Sequence, residues 1–118
     1  GLMAEHWIYL IPLAALAWFF WSRRSASTAD VKALLNRGAQ IVDVRTKAEF
    51  KGASHPKAIN IPLDELEAKA KSLDRARPVL VCCATGSRSG FGVSVLKRAG
   101  FTEVANLGSW QRIATLLS

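Results

Sequence analysis

The sequence predicts an α/β fold: a small parallel sheet covered by helices on both faces. Within residues 28–118, short apolar runs rich in β-branched residues alternate with longer segments that have helical patterning. Parallel strands need a crossover connection, usually a helix, so this alternation is typical of a parallel sheet.

The first half of this unit contains two helices and two strands. Thr28 can cap a helix that ends at residues 36–38, where Asn-Arg-Gly favours a turn. Residues 40–44 and 58–61 are short apolar runs, as expected of buried strands. Residues 63–73 carry apolar side chains on one face and charged i,i+4 pairs on the other, which predicts a helix.

The second half repeats the alternation. Residues 78–81 predict a third strand, and residues 89–99 predict a helix that ends at Gly100. A fourth strand is predicted at residues 103–106 and a last helix at residues 110–117. Reactive groups of such sheets lie beyond the carboxyl ends of the strands, so the end of the third strand is the expected location of a site.

An apolar segment precedes the α/β unit. Residues 7–21 read WIYLIPLAALAWFFW without a charge, and with its margins (residues 4–22) the segment approaches the length of a membrane-spanning helix. Aromatic residues at both ends and Arg23-Arg24 after it predict a single-pass anchor with the domain on the cytoplasmic side. Such a helix could pair with that of a second chain. A cleaved signal peptide is the alternative, although its positive charge would precede the apolar run.

Residues 23–29 are a polar linker, and the chain as a whole is basic. It has 16 Lys and Arg against 9 Asp and Glu, a net charge of +7. A basic surface favours anionic partners such as small sulfur oxyanions, phosphate groups or acidic lipid headgroups. Nucleic acid is not expected, because the basic residues are scattered without an aromatic stacking platform.

The two cysteines, Cys82 and Cys83, are adjacent. Neighbours cannot form an ordinary disulfide, and two thiols supply too few ligands for a structural zinc site, so no metal is expected. What remains is a reactive thiol or a buried apolar side chain.

The segment after the third strand has the composition of an anion-binding loop. Residues 82–90 read CCATGSRSG, and a helix follows. Small residues let successive N–H groups curl around one point, and the helix N-terminus adds partial positive charge. With Arg88 nearby, Cys83 at the base would be held as a thiolate, ready for nucleophilic attack on an anionic substrate. The alternative is a strand–helix turn with a structural cysteine.

From Thr28 onward the chain resembles the rhodanese family. Residues 79–89, VLVCCATGSRS, resemble that family's third strand and active-site loop. Shorter matches are DVR at 43–45, EF at 49–50, the segment 56–63 that includes Asn-Ile-Pro, and Gly108 with Trp110. Residues 53–57 depart from the family's Gly-His segment, which leaves the role of His55 open, and Ala84 stands where users of thiosulfate often carry a cation.

The resemblance implies a sulfurtransferase without a cofactor. A Cys83 thiolate would take a sulfane sulfur from thiosulfate or a persulfide donor, and the Cys83 persulfide would pass it to a thiol, cyanide or a sulfur-carrier protein. The implied catalytic residues are Cys83 and Arg88. The implied substrate-binding residues are Ala84, Thr85, Gly86, Ser87 and Ser89. Asp43, Arg45 and Glu49 are interpreted as a buried charged network that supports the loop.

Two other functions remain open. Dual-specificity phosphatases of the same fold have a loop one residue longer between cysteine and arginine. Four residues separate Cys83 from Arg88, the sulfurtransferase length, whereas five separate Cys82 from Arg88. Strand alternation favours Cys83 as the base of the loop. The second alternative function is that of a catalytically silent rhodanese-like binding module at the membrane, although silent members usually lack the cysteine.

Overall fold

The computed structural model describes residues 12–17 and 24–117. Most of the predicted anchor, residues 4–22, lies outside the described residues; residues 12–17 are helical with exposed side chains. Among the described residues, no helix combines the length and the apolar character needed to cross a membrane.

Four parallel strands form one sheet in the order β2-β1-β3-β4. The strands are β1 (Gln40–Asp43), β2 (Ala58–Asn60), β3 (Val79–Cys83) and β4 (Val104–Ser109). The helices are α1 (Thr28–Asn36), α2 (Lys47–Gly52), α3 (Leu63–Lys69), α4 (Ser87–Arg98) and α5 (Arg112–Leu117), with a 3-10 turn at Ala70–Ser72 after α3. The predicted parallel α/β sheet is confirmed.

The boundaries differ from the sequence-based ones in three places that matter for the site. The α1 helix is capped by Ser27, whose Oγ accepts from the Asp30 N–H, and not by Thr28. The α2 helix was not predicted, and α4 begins at Ser87, two residues earlier than expected. The early start of α4 depends on Gly86, whose φ of 107° is a left-handed conformation that side chains disfavour.

The sheet separates two apolar cores. On one side, Val42, Val81 and Cys83 pack with side chains of α3 and α4; on the other, Leu80 and Cys82 pack with those of α1 and α5. Successive side chains of a strand point to opposite faces, so the two cysteines lie on opposite sides of the sheet.

A glycine brings α4 close to the sheet. A β-carbon on Gly92 would lie 2.9 Å from Val81 Cγ1, which is closer than such atoms can approach. The helix therefore packs directly on β3, and its N-terminus is held above the end of that strand.

Candidate active site

Cys83, the last residue of β3, lies at the base of the loop that leads into α4. Its Sγ accepts hydrogen bonds from the Gly86 N–H at 3.0 Å and from the Ser89 N–H at 3.4 Å. The neutral thiol lies 3.4 Å from Ser89 Oγ and can donate to it. The N-terminus of α4, a helix of 12 residues, points at the same sulfur. The loop thus directs donors at a single atom.

These donors outweigh burial in setting the ionisation of Cys83. Burial raises the pKa of the Cys83 thiol. Hydrogen bonds from the Ser89 side chain and from the N–H groups of Ser89, Gly86 and Thr85 together lower the pKa by more than burial raises it, so the pKa lies below its ordinary value. Cys82 shows the opposite balance, because burial raises the pKa of its thiol and the nearby Asp43 carboxylate raises it again. Only Cys83 is prepared to act as a thiolate.

Asn106, a buried residue of β4, holds the rear of the loop. Its Oδ1 accepts from Ser89 Oγ at 2.6 Å and from the Gly108 N–H at 2.9 Å, while its Nδ2 donates to the Gly86 carbonyl at 2.9 Å. Gly86 and Ser89, two of the residues that donate to the Cys83 sulfur, are therefore both bonded to one side chain.

Arg88 is bound by Glu49 of α2. The guanidinium donates to the two carboxylate oxygens of Glu49 at 2.6 and 2.9 Å. Glu49 also accepts from the Thr46 N–H and hydroxyl in a capping box. Hydrogen bonds from Arg88, and then from Thr46, lower the pKa of Glu49 to about 2. In this structure the cation predicted at the site is therefore engaged by a carboxylate rather than by Cys83.

A second ion pair lies beneath the loop at the end of β1. Arg45 is buried and donates to both oxygens of Asp43, at 2.7 to 3.0 Å, and to the Ala53 carbonyl at 2.9 Å. Its guanidinium also lies over the Trp110 ring, 4.7 Å from the centroid. The pair joins the ends of β1 and β4, which flank β3.

Residues 27–115 match the sequence model of the Rhodanese-like domain family. The chain belongs to this family. A sulfurtransferase of Allochromatium vinosum is 30% identical over 86 residues, covering 73% of both chains. The Bacillus subtilis protein YqhL is 38% identical over 71 residues, 60% of this chain and 56% of that protein, so the chain spans about half the length of this relative.

Solved structures of rhodanese-related proteins share the fold. A protein of Thermoplasma volcanium has a TM-score of 0.61 at 33% identity, covering 80% of this chain and 90% of that one. A rhodanese of Escherichia coli, solved with anions, has a TM-score of 0.58 at 34% identity, covering 64% and 92%.

Within this rhodanese-like domain, the predicted loop residues divide into two groups. Cys83, Gly86 and Ser89 are buried, whereas Ala84, Thr85 and Ser87 are exposed, and Thr85 Oγ1 lies 3.1 Å from Ser87 Oγ. Cys83 itself is 0% exposed, so its sulfur is covered in this structure.

The interpretation of Asp43, Arg45 and Glu49 as one buried network needs correction. Asp43 and Arg45 form a buried pair, but the Glu49 side chain is 35% exposed and binds Arg88 instead. The one hydrogen bond that joins Glu49 to Arg45 among the described residues runs from Arg45 Nη1 to the Glu49 backbone carbonyl, at 3.5 Å. The cause is α2, whose capping box turns the Glu49 carboxylate toward the N-terminus of α4.

Asn106 is the residue of the rhodanese-like site that sequence reasoning missed. The available signal was a polar residue inside an otherwise apolar strand segment, VANL. No three His, Cys, Asp or Glu side chains within the described parts of the chain lie close enough to hold a metal ion together.

Proposed function

We propose that the chain is a sulfurtransferase in which Cys83 carries a sulfane sulfur as a persulfide. The observation that carries the proposal is the convergence of Gly86 N–H, Ser89 N–H and Ser89 Oγ on Cys83 Sγ at 3.0 to 3.4 Å. Membership of the rhodanese-like family and similarity to a sulfurtransferase support it.

The first half-reaction loads the cysteine. The Cys83 thiolate attacks the outer sulfur of the donor, forming a new S–S bond while the old one breaks. With thiosulfate the electron pair leaves on sulfite; with a persulfide it leaves on the donor thiolate. The negative charge then resides on the outer sulfur of the Cys83 persulfide, where N–H donors of the loop and the α4 N-terminus can stabilise it.

The second half-reaction returns the enzyme to its starting state. A thiolate, cyanide or a sulfur-carrier protein attacks the outer sulfur, and the electron pair of the broken bond returns to Cys83. No metal or organic cofactor takes part in the proposal, because each step is a displacement at sulfur and needs no external oxidant or reductant. The lowered pKa of Cys83 serves both steps, since it makes the thiolate a nucleophile first and a leaving group second.

The phosphatase alternative required Cys82 as the base of a longer loop. Cys82 packs in the core on the side of the sheet away from α4, and the loop N–H groups bind Cys83. With Cys83 as the base, four residues precede Arg88. The geometry therefore supports the shorter, sulfurtransferase-length loop.

The experiment pairs two cysteine variants. The wild-type chain, treated with thiosulfate or a low-molecular-weight persulfide, should gain one sulfur atom on the Cys83 peptide and form thiocyanate with cyanide. Cys83→Ala should do neither, whereas the matched variant Cys82→Ala should do both. Hydrolysis of p-nitrophenyl phosphate without any sulfur loading would overturn the proposal.

We also propose that the domain is held at the cytoplasmic face of a membrane by residues 7–21. The support is the sequence alone: fifteen uncharged residues followed by Arg23 and Arg24. Protease treatment of sealed inside-out vesicles should degrade the domain, and right-side-out vesicles should protect it. The reverse pattern, or recovery of the chain in the soluble fraction, would contradict this location.

A further inference from the structure

The segment just before α1, residues 25–27, lies against β4 and is here named the strap. The Ala26 N–H donates to the Asn106 carbonyl at 2.7 Å, and the Ala26 carbonyl accepts from Arg112 Nη1 at 3.2 Å. Ala26 is half-buried on the core that contains Cys82, and Ser27 caps α1. The linker that the sequence predicted as a simple polar connection is thus fixed at successive residues.

The strap lies close to two glycines, Gly86 of the active-site loop and Gly108 of β4. A β-carbon on Gly108 would lie 2.8 Å from Ser25 Oγ, and one on Gly86 would lie 3.2 Å from the same atom and 3.3 Å from Gly108 Cα. Gly86 and Gly108 have φ values of 107° and 91°. The strap, the turn at Gly86 and the end of β4 therefore lie close together, and a β-carbon at either glycine would require Ser25 Oγ to shift. Both glycines also have left-handed conformations that other residues disfavour.

A single residue, Gly86, lies between the strap and the reactive sulfur of Cys83. Gly86 donates its N–H to Cys83 Sγ, and its carbonyl accepts from the side chain of Asn106. The backbone carbonyl of Asn106 is the group that accepts from Ala26. One residue of β4 therefore binds the strap with its main chain and the Gly86 turn with its side chain.

We propose that Ser25 and Ala26 are positioning residues of the active site, which hold the Gly86 turn in the shape that serves Cys83. Both precede residue 27, where the match to the family begins. They also follow Arg24 and the apolar segment directly. The same few residues would therefore connect the domain to the proposed membrane anchor and hold its active-site loop in shape. The inference deepens the proposed function, and its first readout does not depend on sulfur transfer.

Ala26→Pro in the full chain is the test. Proline removes the N–H that binds Asn106 and places a ring at the contact. The matched control is Thr28→Pro at the first position of α1, where proline is well tolerated and the preceding residue, Ser27, already has the extended conformation proline requires.

The first readout is the ultraviolet titration of the Cys83 thiolate, with Cys83→Ala subtracted as the blank. Ala26→Pro should lower the ratio of thiolate to thiol at a given pH by about two- to fivefold, the size of effect expected from losing one hydrogen bond. It should also lower kcat for thiosulfate more than it raises KM. Thr28→Pro should titrate as the wild type does. A titration of Ala26→Pro that superimposes on the wild type, or equal shifts in both proline variants, would overturn the role of the strap.

Arg112→Leu provides a second route that leaves the strap sequence intact. It deletes the donor that the Ala26 carbonyl shares with the Leu107 carbonyl of β4, whereas Arg98→Leu removes an exposed arginine at the far end of α4. The thiolate fraction should fall in Arg112→Leu and not in Arg98→Leu; equal titrations would count against the proposal even if Ala26→Pro failed to fold. If the wild type titrates as described but transfers no sulfur, the proposed function fails and the strap does not.

Discussion

The Ser89 hydroxyl is the donor to Cys83 that a single substitution removes most cleanly. Ser89→Ala deletes an Oγ 3.4 Å from Sγ and keeps the Ser89 N–H and the α4 backbone. A hydrogen bond to a charged group contributes about 1.5–3 kcal/mol, but to donate to the thiolate the hydroxyl must leave Asn106 Oδ1, a neutral bond of about 0.5–1.5 kcal/mol. The net stabilisation of the thiolate is therefore about 1 kcal/mol, or about fivefold in the ratio of thiolate to thiol at a given pH.

The assay is the thiolate absorbance as a function of pH. Cys82 does not interfere near neutral pH, because burial raises the pKa of its thiol far above that of Cys83. Ser94→Ala is the control, since it makes the same change in the same helix and so matches the gain in helix propensity. A thiolate fraction in Ser89→Ala equal to or above that of the wild type would refute the assignment of Ser89 as a donor to the anion.

Two further predictions concern stability. The pKa of Glu49 is lowered to about 2, so the contribution of its pair with Arg88 is complete above the ordinary carboxyl pKa and is lost as the pH falls toward 2. Glu49→Gln should therefore flatten the dependence of the urea midpoint on pH between about 5 and 2 relative to the wild type; Glu67→Gln, at an exposed position of α3, should not, and equal slopes would contradict the prediction. Gly92→Ala places a β-carbon 2.9 Å from Val81 Cγ1 and should destabilise the domain by up to about 2 kcal/mol, after allowance for better helix propensity. Gly52→Ala, with no atom within 4 Å of the new β-carbon, should be neutral or stabilising. Urea titration of both variants measures the difference; equal unfolding midpoints would show that close packing of α4 on β3 does not require glycine at position 92.

The sheet and the base of the loop could be predicted because they depend on local patterns. Buried strands such as β1 and β3 are short runs of β-branched residues between turns, and the alternation with helices requires parallel pairing. The separation of Cys82 from Cys83 follows from the two-residue period of a strand. Neither inference needs knowledge of distant contacts.

The partners of the loop could not be predicted in this way. Arg88 and Glu49 are 39 residues apart, and they meet because α2 packs beside the N-terminus of α4. The α2 helix has six residues and no apolar stripe, so only the Thr46–Glu49 capping box could have indicated it.

The role of Asn106 could not be predicted, because its position depends on an irregularity in strand pairing that no sequence periodicity describes. The pairing of β3 with β4 shifts register between Val81 and Cys82, so Val81 pairs with Asn106 but Cys82 pairs with Gly108. The extra residue on β4 increases the local twist and redirects side chains. At this position the Asn106 side chain reaches Gly86 and Ser89, and the strap reaches the Asn106 carbonyl.

The charges near Cys83 are already paired in the resting site, Arg88 with Glu49 and Arg45 with Asp43. The thiolate is therefore stabilised chiefly by N–H and hydroxyl dipoles of the loop, which are fixed by the backbone before any substrate arrives. Stabilisation by buried dipoles is screened much less by salt than attraction between exposed charges. Because such dipoles act only at the right distance, the ionisation of Cys83 depends on how firmly Asn106 and the strap hold the Gly86 turn.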